Sequence, residues 1–306
     1  MLKGKKLVYI QRCADDDIKK AVYSAIDKVG YPSKKIDSVI IKPNLCYYWD
    51  SSTGETSDKR IIAAIIDYVR EKINSDAMIR IAEADATAMK TKYVFEVLGY
   101  NKLAKEKNVE ILNLCNDAYK EFTLKVKDRN IIIPLPVSMI ESDLVISVPK
   151  MKVPRRIPLT CSMKNLFGTI HNPIKAQYHK YLHEVIAGIN KIILPDLIVV
   201  DGIVALGKYP KKLNVIITGT DSVAVDYIVA QIIGYHNPKK IGYINLSDPE
   251  RYTNIRVEGE DLKILRNEFP KINIATAQFL WKCQLAGIKY YSKITGDVIP
   301  PILGDL

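Results

Sequence analysis

The sequence predicts an α/β protein with a mainly parallel sheet covered by helices on both faces. Short apolar runs rich in Val and Ile recur along the 306 residues without polar alternation, as expected for strands buried on both faces. Helical patterns lie between these runs, and strands that alternate with helices favour parallel pairing. Hydrophobic residues make up 48% of the chain and charged residues 26%, which is typical of a globular protein with a sizeable core.

Five apolar runs predict strands that end in polar residues. In chain order, these endings are IIKPN (40–44), IAEAD (81–85), ISVPKMK (146–152), IVVDG (198–202) and IITGTD (216–221). The carboxyl ends of parallel strands meet at one edge of a sheet, where loops and helix N-termini form ligand sites. We therefore expect the polar residues of all five endings to lie at the same edge.

Two segments between the strands predict helices. Residues 58–73 have apolar side chains at amphipathic spacing, and Thr56, Ser57 and Asp58 are N-cap candidates for this helix. Residues 222–234 predict a second helix, which ends at a glycine C-cap.

The remaining patterns bear on domain organisation. Residues 120–136 alternate and contain an Asp-Arg-Asn turn, which predicts a small antiparallel hairpin at the sheet edge or in a subdomain. We assign residues 1–250 to the α/β core, as one lobe or two. The pattern weakens beyond this point, so residues 251–306 are predicted to be a helical or extended extension, with a helical pattern over 273–294.

Several classes of protein are disfavoured. No apolar run approaches the roughly 20 residues of a membrane-spanning helix, and the N-terminus enters a strand-like run without a signal-peptide core. We therefore expect a cytoplasmic protein without a membrane partner. The five cysteines are scattered and no pair has CxxC spacing, so the spacing indicates neither a zinc site nor an iron–sulfur cluster.

Positive charge is concentrated in one window of the sequence. The chain carries a formal net charge of +11, and residues 144–183 contain no Asp or Glu but three of the four histidines. The basic residues of this window are Lys150, Lys152, Arg155, Arg156, Lys164, Lys175, Lys180, His171, His179 and His183. Without neighbouring carboxylates in the sequence, the field of these cations is available to an anion. The window therefore predicts one wall of an anion pocket.

The histidines allow more than one interpretation. His179 and His183 are four residues apart, so on a helix they share a face, as two metal ligands do. His171 or an acid from another loop is then a candidate third ligand. Structural or solvated histidines, and an acid–base role, are the alternatives. A bound divalent metal therefore stays open, and the sequence identifies no cofactor.

Polar residues at the strand ends are the other candidates. Lys42 and Asn44 follow a buried strand and suit a phosphate or carboxylate, although a lysine here also has a simple route to solvent. Asp201 and Asp221 are candidates for a general acid/base pair or for magnesium ligands. Either aspartate is equally compatible with capping the next helix.

The order of these motifs resembles the domain-of-unknown-function family 362 over roughly residues 35–245. The motifs are KPN (42–44), PKMK (149–152), KNLFG (164–168), VDGI (200–203) and DSVAVD (221–226). The resemblance implies that the family-motif positions are Lys42, Asn44, Lys150, Lys152, Lys164, Asn165, His179, Asp201, Asp221 and Asp226. Many relatives are similar to iron–sulfur proteins with ferredoxin-type cysteine repeats, but this chain lacks the repeats, and no iron–sulfur cluster is predicted. The family is also similar to nickel-dependent lactate racemases, at the level of the fold.

We interpret the chain as an enzyme that acts on an anionic small molecule. His179, Lys164 and Asp201 are the catalytic candidates. The anion-binding candidates are Lys42, Asn44, Lys150, Lys152, Asn165, Thr56, Asp85 and Asp221. The alternatives are a nucleic-acid-binding protein that uses residues 144–183, and a non-catalytic binding or assembly factor. The sequence indicates neither the substrate, nor the reaction type, nor the oligomeric state.

Overall fold

A sheet of nine strands lies at the centre of the part of the chain that the structure describes. The computed structural model describes residues 6–13, 17–45, 47–87, 89–154 and 157–272, and isolated helical positions between 279 and 294. The strands are β1 (Lys6–Arg12), β2 (Ser38–Pro43), β3 (Met78–Glu83), β4 (Glu110–Asn113), β5 (Tyr119–Val126), β6 (Arg129–Pro136), β7 (Leu144–Val148), β8 (Lys150–Lys152), β9 (Leu197–Leu206), β10 (Pro210–Gly219) and β11 (Ile255–Gly259).

The central sheet is mainly parallel, as the sequence predicts. Its strand order is β11-β1-β10-β9-β7-β2-β3-β4, and β8 pairs separately with β9. Strands β4, β3, β2, β7 and β9 are parallel neighbours, whereas β10 is antiparallel to both β9 and β1. Among the described strands of this sheet, β10 is thus the one that runs in the opposite direction.

The direction of β10 corrects the expectation that all five strand ends share one edge. Only residues 207–209 connect β9 to β10, and so short a connection allows only an antiparallel pair. The carboxyl end of β10, and Asp221 after it, therefore lie at the opposite edge from the ends of β2 and β3. The predicted end of β9 at residues 201–202 is also wrong, because this strand continues to Leu206.

Helices cover both faces of the sheet. In chain order they are α1 (Ile18–Val29), α2 (Lys59–Tyr68), α3 (Thr91–Val97), α4 (Tyr100–Lys107), α5 (Val137–Glu141), α6 (Ser162–Phe167), α7 (Leu182–Ile192), α8 (Ser222–Ile233), α9 (Gly242–Asn245), α10 (Glu250–Thr253) and α11 (Leu262–Glu268). Two apolar clusters result, and adjacent residues of β2 alternate between them: Ile40 packs into one, and Val39 and Ile41 into the other. This arrangement explains why the strands are apolar without alternation.

The two predicted helices are confirmed. The Asp58 side chain accepts a hydrogen bond from the backbone N–H of Arg60 at the start of α2, and a π-helical turn, Val69–Ile73, continues this helix. Asp221 caps α8, and Gly234 ends it with φ 115°, a left-handed conformation that glycine adopts readily. Thr56 does not cap a helix, because its hydroxyl donates to the carbonyl of Trp49.

The predicted antiparallel hairpin is also confirmed. Strands β5 and β6 pair antiparallel in a two-stranded sheet of their own, with Lys127 in the turn at φ 54°. Leu124 of the hairpin packs against Gly188 of α7, where an added Cβ would lie 2.3 Å from the Leu124 Cδ1 atom. The absence of a side chain at Gly188 therefore lets the hairpin approach α7 closely.

The chain beyond residue 250 contributes to the central sheet where it is described. Strand β11 pairs parallel with β1, and α11 follows it, so this part is not a separate extension. Most of the helical pattern over residues 273–294 lies outside the described residues. Among the described residues, no helix combines the length and apolar character needed to span a bilayer, and the cytoplasmic location stays a prediction.

Candidate active site

A cavity of about 570 Å³ lies at the carboxyl ends of β2, β3 and β8. Six residues that the sequence analysis selected line this cavity: Lys42, Asn44, Lys152, Lys164, Asn165 and His179. They come from chain positions as far apart as 42 and 179, and the parallel arrangement of the strands brings them together. Lys175, Glu55 and Glu83 line the same cavity, and the sequence analysis did not select them as site residues.

Lys42 and Glu83 form a buried ion pair at the end of neighbouring strands. The Lys42 Nζ atom donates to both carboxylate oxygens of Glu83, each at 2.8 Å, and the two side chains are 1% and 4% exposed. The backbone N–H groups of Leu45 and Ala84 also donate to this carboxylate. The ion pair fixes both side chains in the cavity wall. The sequence predicts a wall without carboxylates, but Glu83 brings one into it from a different segment of the chain.

Lys152 has a similar partner. Its Nζ atom donates to the Glu55 carboxylate at 2.9 Å and to the Glu55 carbonyl at 2.7 Å. The Lys152 side chain is buried, whereas the Glu55 side chain is 33% exposed. A carboxylate that reaches solvent is readily separated from its cation, so this pair is the weaker of the two.

Asn165 connects α6 to the sheet. Its side-chain amide donates to the Lys42 carbonyl at 3.2 Å and to the Ser147 hydroxyl at 3.1 Å. The Asn44 amide approaches the Asn165 side-chain oxygen at 3.4 Å. Asn165 is therefore a positioning residue that holds α6 and the end of β2 in register.

Asp226 of α8 fixes the start of α6, the helix that carries Lys164 and Asn165. The fully buried Asp226 carboxylate accepts hydrogen bonds from the backbone N–H groups of Ser162 at 2.7 Å and Met163 at 3.1 Å. Burial raises the pKa of Asp226 to about 7, although these hydrogen bonds act in the opposite direction. Asp226 therefore supports the helix that forms this part of the cavity wall.

Two buried polar atoms of the cavity wall lack a hydrogen-bond partner among the described residues. They are the side-chain oxygen of Asn44 and the hydroxyl of Thr160. Buried polar atoms are rarely left without partners in folded proteins. The lining therefore contains one acceptor and one hydroxyl whose hydrogen-bonding capacity is unused within the described structure.

Lys175 and His179 belong to a 3₁₀ segment, Lys175–Tyr181, that forms another wall. Lys175 is 7% exposed, and its Nζ atom donates to the backbone carbonyl of Asp85. Burial lowers the pKa of Lys175 to about 8, and the charge of Lys42 acts in the same direction. The His179 ring stacks on Phe167, with 6.0 Å between ring centroids.

The three histidines are not grouped as metal ligands within the described residues. The 3₁₀ segment ends at Tyr181 and α7 begins at Leu182, so His179 and His183 do not share the face of one α-helix. His183 packs against Tyr243, and burial lowers its pKa; His171 lies 3.0 Å from the Asp117 carbonyl. In the described part of the chain, no three His, Cys, Asp or Glu side chains are grouped as metal ligands.

Lys150 and Asp201 pair with each other outside the cavity lining. The Lys150 Nζ atom lies 2.8 Å from the Asp201 carboxylate, and both side chains have no exposed surface. Asp201 also accepts hydrogen bonds from the backbone N–H groups of Asp58 and Ile203. The sequence analysis expected these two residues to contact a ligand. In the structure they instead join β8, β9 and the start of α2.

Asp85 and Thr56 have structural contacts as well. The Asp85 carboxylate accepts hydrogen bonds from the backbone N–H and the hydroxyl of Thr91, at 2.9 and 2.8 Å, which holds the start of α3. Burial raises the pKa of Asp85, but the hydrogen bonds from Thr91 and Lys90 outweigh it and lower the value. Neither Asp85 nor Thr56 is among the residues that line the cavity, so their selection as anion ligands is corrected.

Asp221 lies at the opposite edge of the sheet and caps α8. Its carboxylate accepts hydrogen bonds from the backbone N–H groups of Val223 at 2.8 Å and Ala224 at 3.1 Å. Arg251 donates to it at 3.0 Å. Burial raises the pKa of Asp221, but the hydrogen bond and charge of Arg251 outweigh this and lower it.

We expect Asp221→Ala to lower the free energy of unfolding by about 1–2 kcal/mol, because the substitution removes an N-cap. Anion binding in the cavity should stay unchanged, since Asp221 lies at the other edge. Urea unfolding and calorimetric titration with inorganic phosphate measure the two effects separately. Weaker phosphate binding in the folded variant would place Asp221 in the site after all.

The comparisons with known proteins identify the family of this chain. The model of the family described as domain of unknown function (DUF362) matches residues 39–231, more than half of the chain. The chain belongs to this family. The matched region contains β2, α6 and the 3₁₀ segment, and with them the cavity-lining residues from Lys42 to His179.

One curated relative and two solved structures are similar to parts of this DUF362 protein. A thylakoid-associated protein of Synechocystis sp. is 25% identical in an alignment of 211 residues, and the match covers 64% of this chain and 63% of that protein. The match therefore spans under two thirds of the relative. The lactate racemase apoprotein of Thermoanaerobacterium thermosaccharolyticum aligns over 76% of this chain and 57% of its own, with 11% identity and a TM-score of 0.43. A Thermotoga maritima protein aligns over 72% and 58%, with 12% identity and a TM-score of 0.45.

Proposed function

We propose that this DUF362 protein is an enzyme that acts on a small molecule bearing a carboxylate or phosphate group, bound in the cavity. One observation carries the proposal: four lysines line the cavity against two glutamates. Lys42 and Lys152 pair with Glu83 and Glu55, and the lining lysines outnumber the lining carboxylates by two among the described residues. A concave site with excess positive charge concentrates anions.

The size and lining of the cavity suit a small molecule. Its volume of about 570 Å³ lies within the usual range of ligand sites, about 300–1,000 Å³. Tyr47 and Trp49 add partly exposed aromatic surface, while Asn44 and Thr160 supply hydrogen-bonding atoms without partners in the described structure. Polar groups placed between apolar and aromatic side chains are the usual composition of a site that orients its ligand.

The residues divide into binding and proton-transfer roles. Lys164 and Lys152 hold the anionic group, and Asn44 and Thr160 orient the rest of the molecule. His179 exchanges protons with the substrate, because imidazole is the side chain best suited to that task near neutral pH. Asn165 and Asp226 position α6 and do not contact the substrate. Asp201 is not part of this proposal.

The alternative of nucleic-acid binding has less support. Within residues 144–183, Lys150, Lys152 and Lys175 are buried, so they cannot contact the extended backbone of a nucleic acid. These three lysines thus contribute their charge to the cavity and to buried contacts rather than to an open surface.

The substitution Lys164→Ala tests the proposal. We expect a loss of affinity for inorganic phosphate or pyruvate of about ten- to a hundredfold, the size of a lost hydrogen bond to a charged group. The melting temperature should change little, because the Lys164 side chain is half-buried rather than enclosed. Isothermal titration measures the affinity, and native mass spectrometry of the purified wild type reveals any ligand that it retains.

Lys180→Ala is the matched control, since Lys180 is exposed beside the cavity segment and its ammonium lies over the Tyr181 ring. This variant should bind both anions as the wild type does. Equal losses in the two variants would indicate a general effect of charge instead of a site. Unfolding of Lys164→Ala would assign Lys164 a structural role and place the anion site elsewhere.

A further inference from the structure

Lys175 differs from the other buried lysines near the cavity. Lys42, Lys150 and Lys152 each have a carboxylate oxygen within 2.8–2.9 Å. Lys175 is also buried, but within the described part of the chain its Nζ atom donates to a backbone carbonyl and forms no ion pair. A cation without a carboxylate in such a place is unfavourable, because burial removes its hydration.

The surroundings of Lys175 therefore make its proton easier to lose than that of an exposed lysine. Burial lowers the pKa of its ammonium group to about 8; repulsion from Lys42 acts in the same direction, whereas the charges of Cys115, Glu83 and Asp85 act against it. With such a value, about a tenth of the side chain is neutral at pH 7, far more than for an exposed lysine. The neutral amine is the nucleophilic form, and desolvation together with a neighbouring cation is a general way to activate a lysine.

The accessible face of Lys175 is the cavity. Its side chain lines the cavity together with Lys164 and His179, although only 7% of its surface is exposed. A lysine that served only to hold an anion would gain from keeping its proton. Lys175 instead has an amine that loses its proton easily, and it lies next to other cations that attract an anion. This arrangement suits attack by the amine on the bound anionic molecule.

We propose that Lys175 forms a Schiff base with the oxo group of the substrate, which is then a small 2-oxo acid or an aldehyde or ketone bearing a phosphate. This proposal rests on the proposed function, because Lys152 and Lys164 must first bind the anionic group. The neutral amine attacks the carbonyl carbon, a C–N bond forms, and the carbonyl oxygen takes up the proton that the nitrogen loses. The resulting carbinolamine then releases its oxygen as water and leaves a C=N bond, with no change of oxidation state.

Reduction with borohydride tests the proposal directly, because hydride converts the C=N bond into a stable secondary amine. The full-length protein is incubated with pyruvate or with glyceraldehyde 3-phosphate, reduced, digested and analysed by mass spectrometry. We expect the peptide with Lys175 to gain the mass of pyruvate less one oxygen atom. Labelling by both compounds indicates that the site accepts a carboxylate or a phosphate. Labelling by pyruvate alone identifies a carboxylate site, and labelling by glyceraldehyde 3-phosphate alone identifies a phosphate site. The yield should rise as the pH increases through about 8, where Lys175 loses its proton.

Two variants serve as controls. Lys175→Met replaces the buried cation with an apolar side chain of similar length, so it should fold as stably as the wild type and lose the label completely. Lys180→Met changes an exposed lysine of the same segment and should keep the label. A label that persists in Lys175→Met, or that spreads evenly over surface lysines, would refute the proposal.

The two proposals fail in different ways. If pyruvate binds by calorimetry but leaves no label on Lys175, the Schiff base is wrong and the anion site stands. If neither pyruvate nor phosphate binds to the wild type and no label forms, the anion site is wrong too. Unfolding of Lys175→Met would assign its amine a structural role. In that case the wild type still tests the proposal, because a folded wild type without a label on Lys175 would show that Lys175 does not form the Schiff base.

Discussion

Replacing Lys150 with methionine should lower the free energy of unfolding by about 3–5 kcal/mol, the usual cost of leaving a buried charge without its partner. The Asp201 carboxylate, which has no exposed surface, would keep only the hydrogen bonds from Asp58 and Ile203. Urea unfolding followed by circular dichroism measures the change. Because neither residue is among those that line the cavity, the folded variant should retain its affinity for phosphate.

The double variant Lys150→Met with Asp201→Asn is the matched control. It removes both charges, so we expect it to be more stable than Lys150→Met alone, as a thermodynamic cycle would show. A loss under about 1 kcal/mol for Lys150→Met would mean that the backbone N–H groups suffice to hold the Asp201 charge, contrary to the role assigned to the pair.

Glu83→Gln should likewise cost about 3–5 kcal/mol in a buffer free of small anions, because it leaves the buried Lys42 ammonium without its carboxylate. In contrast to Lys150→Met, this loss should shrink when phosphate is added, since an anion in the cavity can take the place of the Glu83 carboxylate beside Lys42. Unfolding at increasing phosphate concentration measures both effects.

Glu55→Gln provides the comparison within the same cavity. Its carboxylate pairs with Lys152 but is 33% exposed, so we expect a change below about 1 kcal/mol. If Glu83→Gln is no more costly than Glu55→Gln, the Lys42–Glu83 pair is not the anchor of the cavity wall. If added phosphate fails to stabilise Glu83→Gln more than the wild type, Lys42 does not meet the bound anion.

The parts of the fold that depend on local sequence were predictable. Helix α8 begins at Asp221 and ends at Gly234 because an N-cap oxygen and a left-handed glycine are properties of single residues. The hairpin over residues 120–136 follows from its own alternation and turn. The proximity of Lys42 and Lys152 was predictable as well, because parallel strands carry their ends to one edge.

The parts that depend on distant contacts were not. The direction of β10 follows from the three-residue connection after Leu206, and ending β9 at Asp201-Gly202 concealed how short this connection is. The reversed direction moved Asp221 away from the site. The window without acids suggested uncompensated cations, yet Glu55 and Glu83 reach them from segments far away in the sequence. The depressed pKa of Lys175 depends on burial by several elements, which no local pattern encodes.

The reversed direction of β10 also has a practical use. Its end, with Asp221 and the neighbouring residues 247–251, forms a surface of its own, and none of these residues lines the cavity. Leu246 is 46% exposed next to this surface. A tether to a sensor chip at position 246 would therefore leave the mouth of the cavity open, and small-molecule libraries could be screened against the immobilised protein without obstruction.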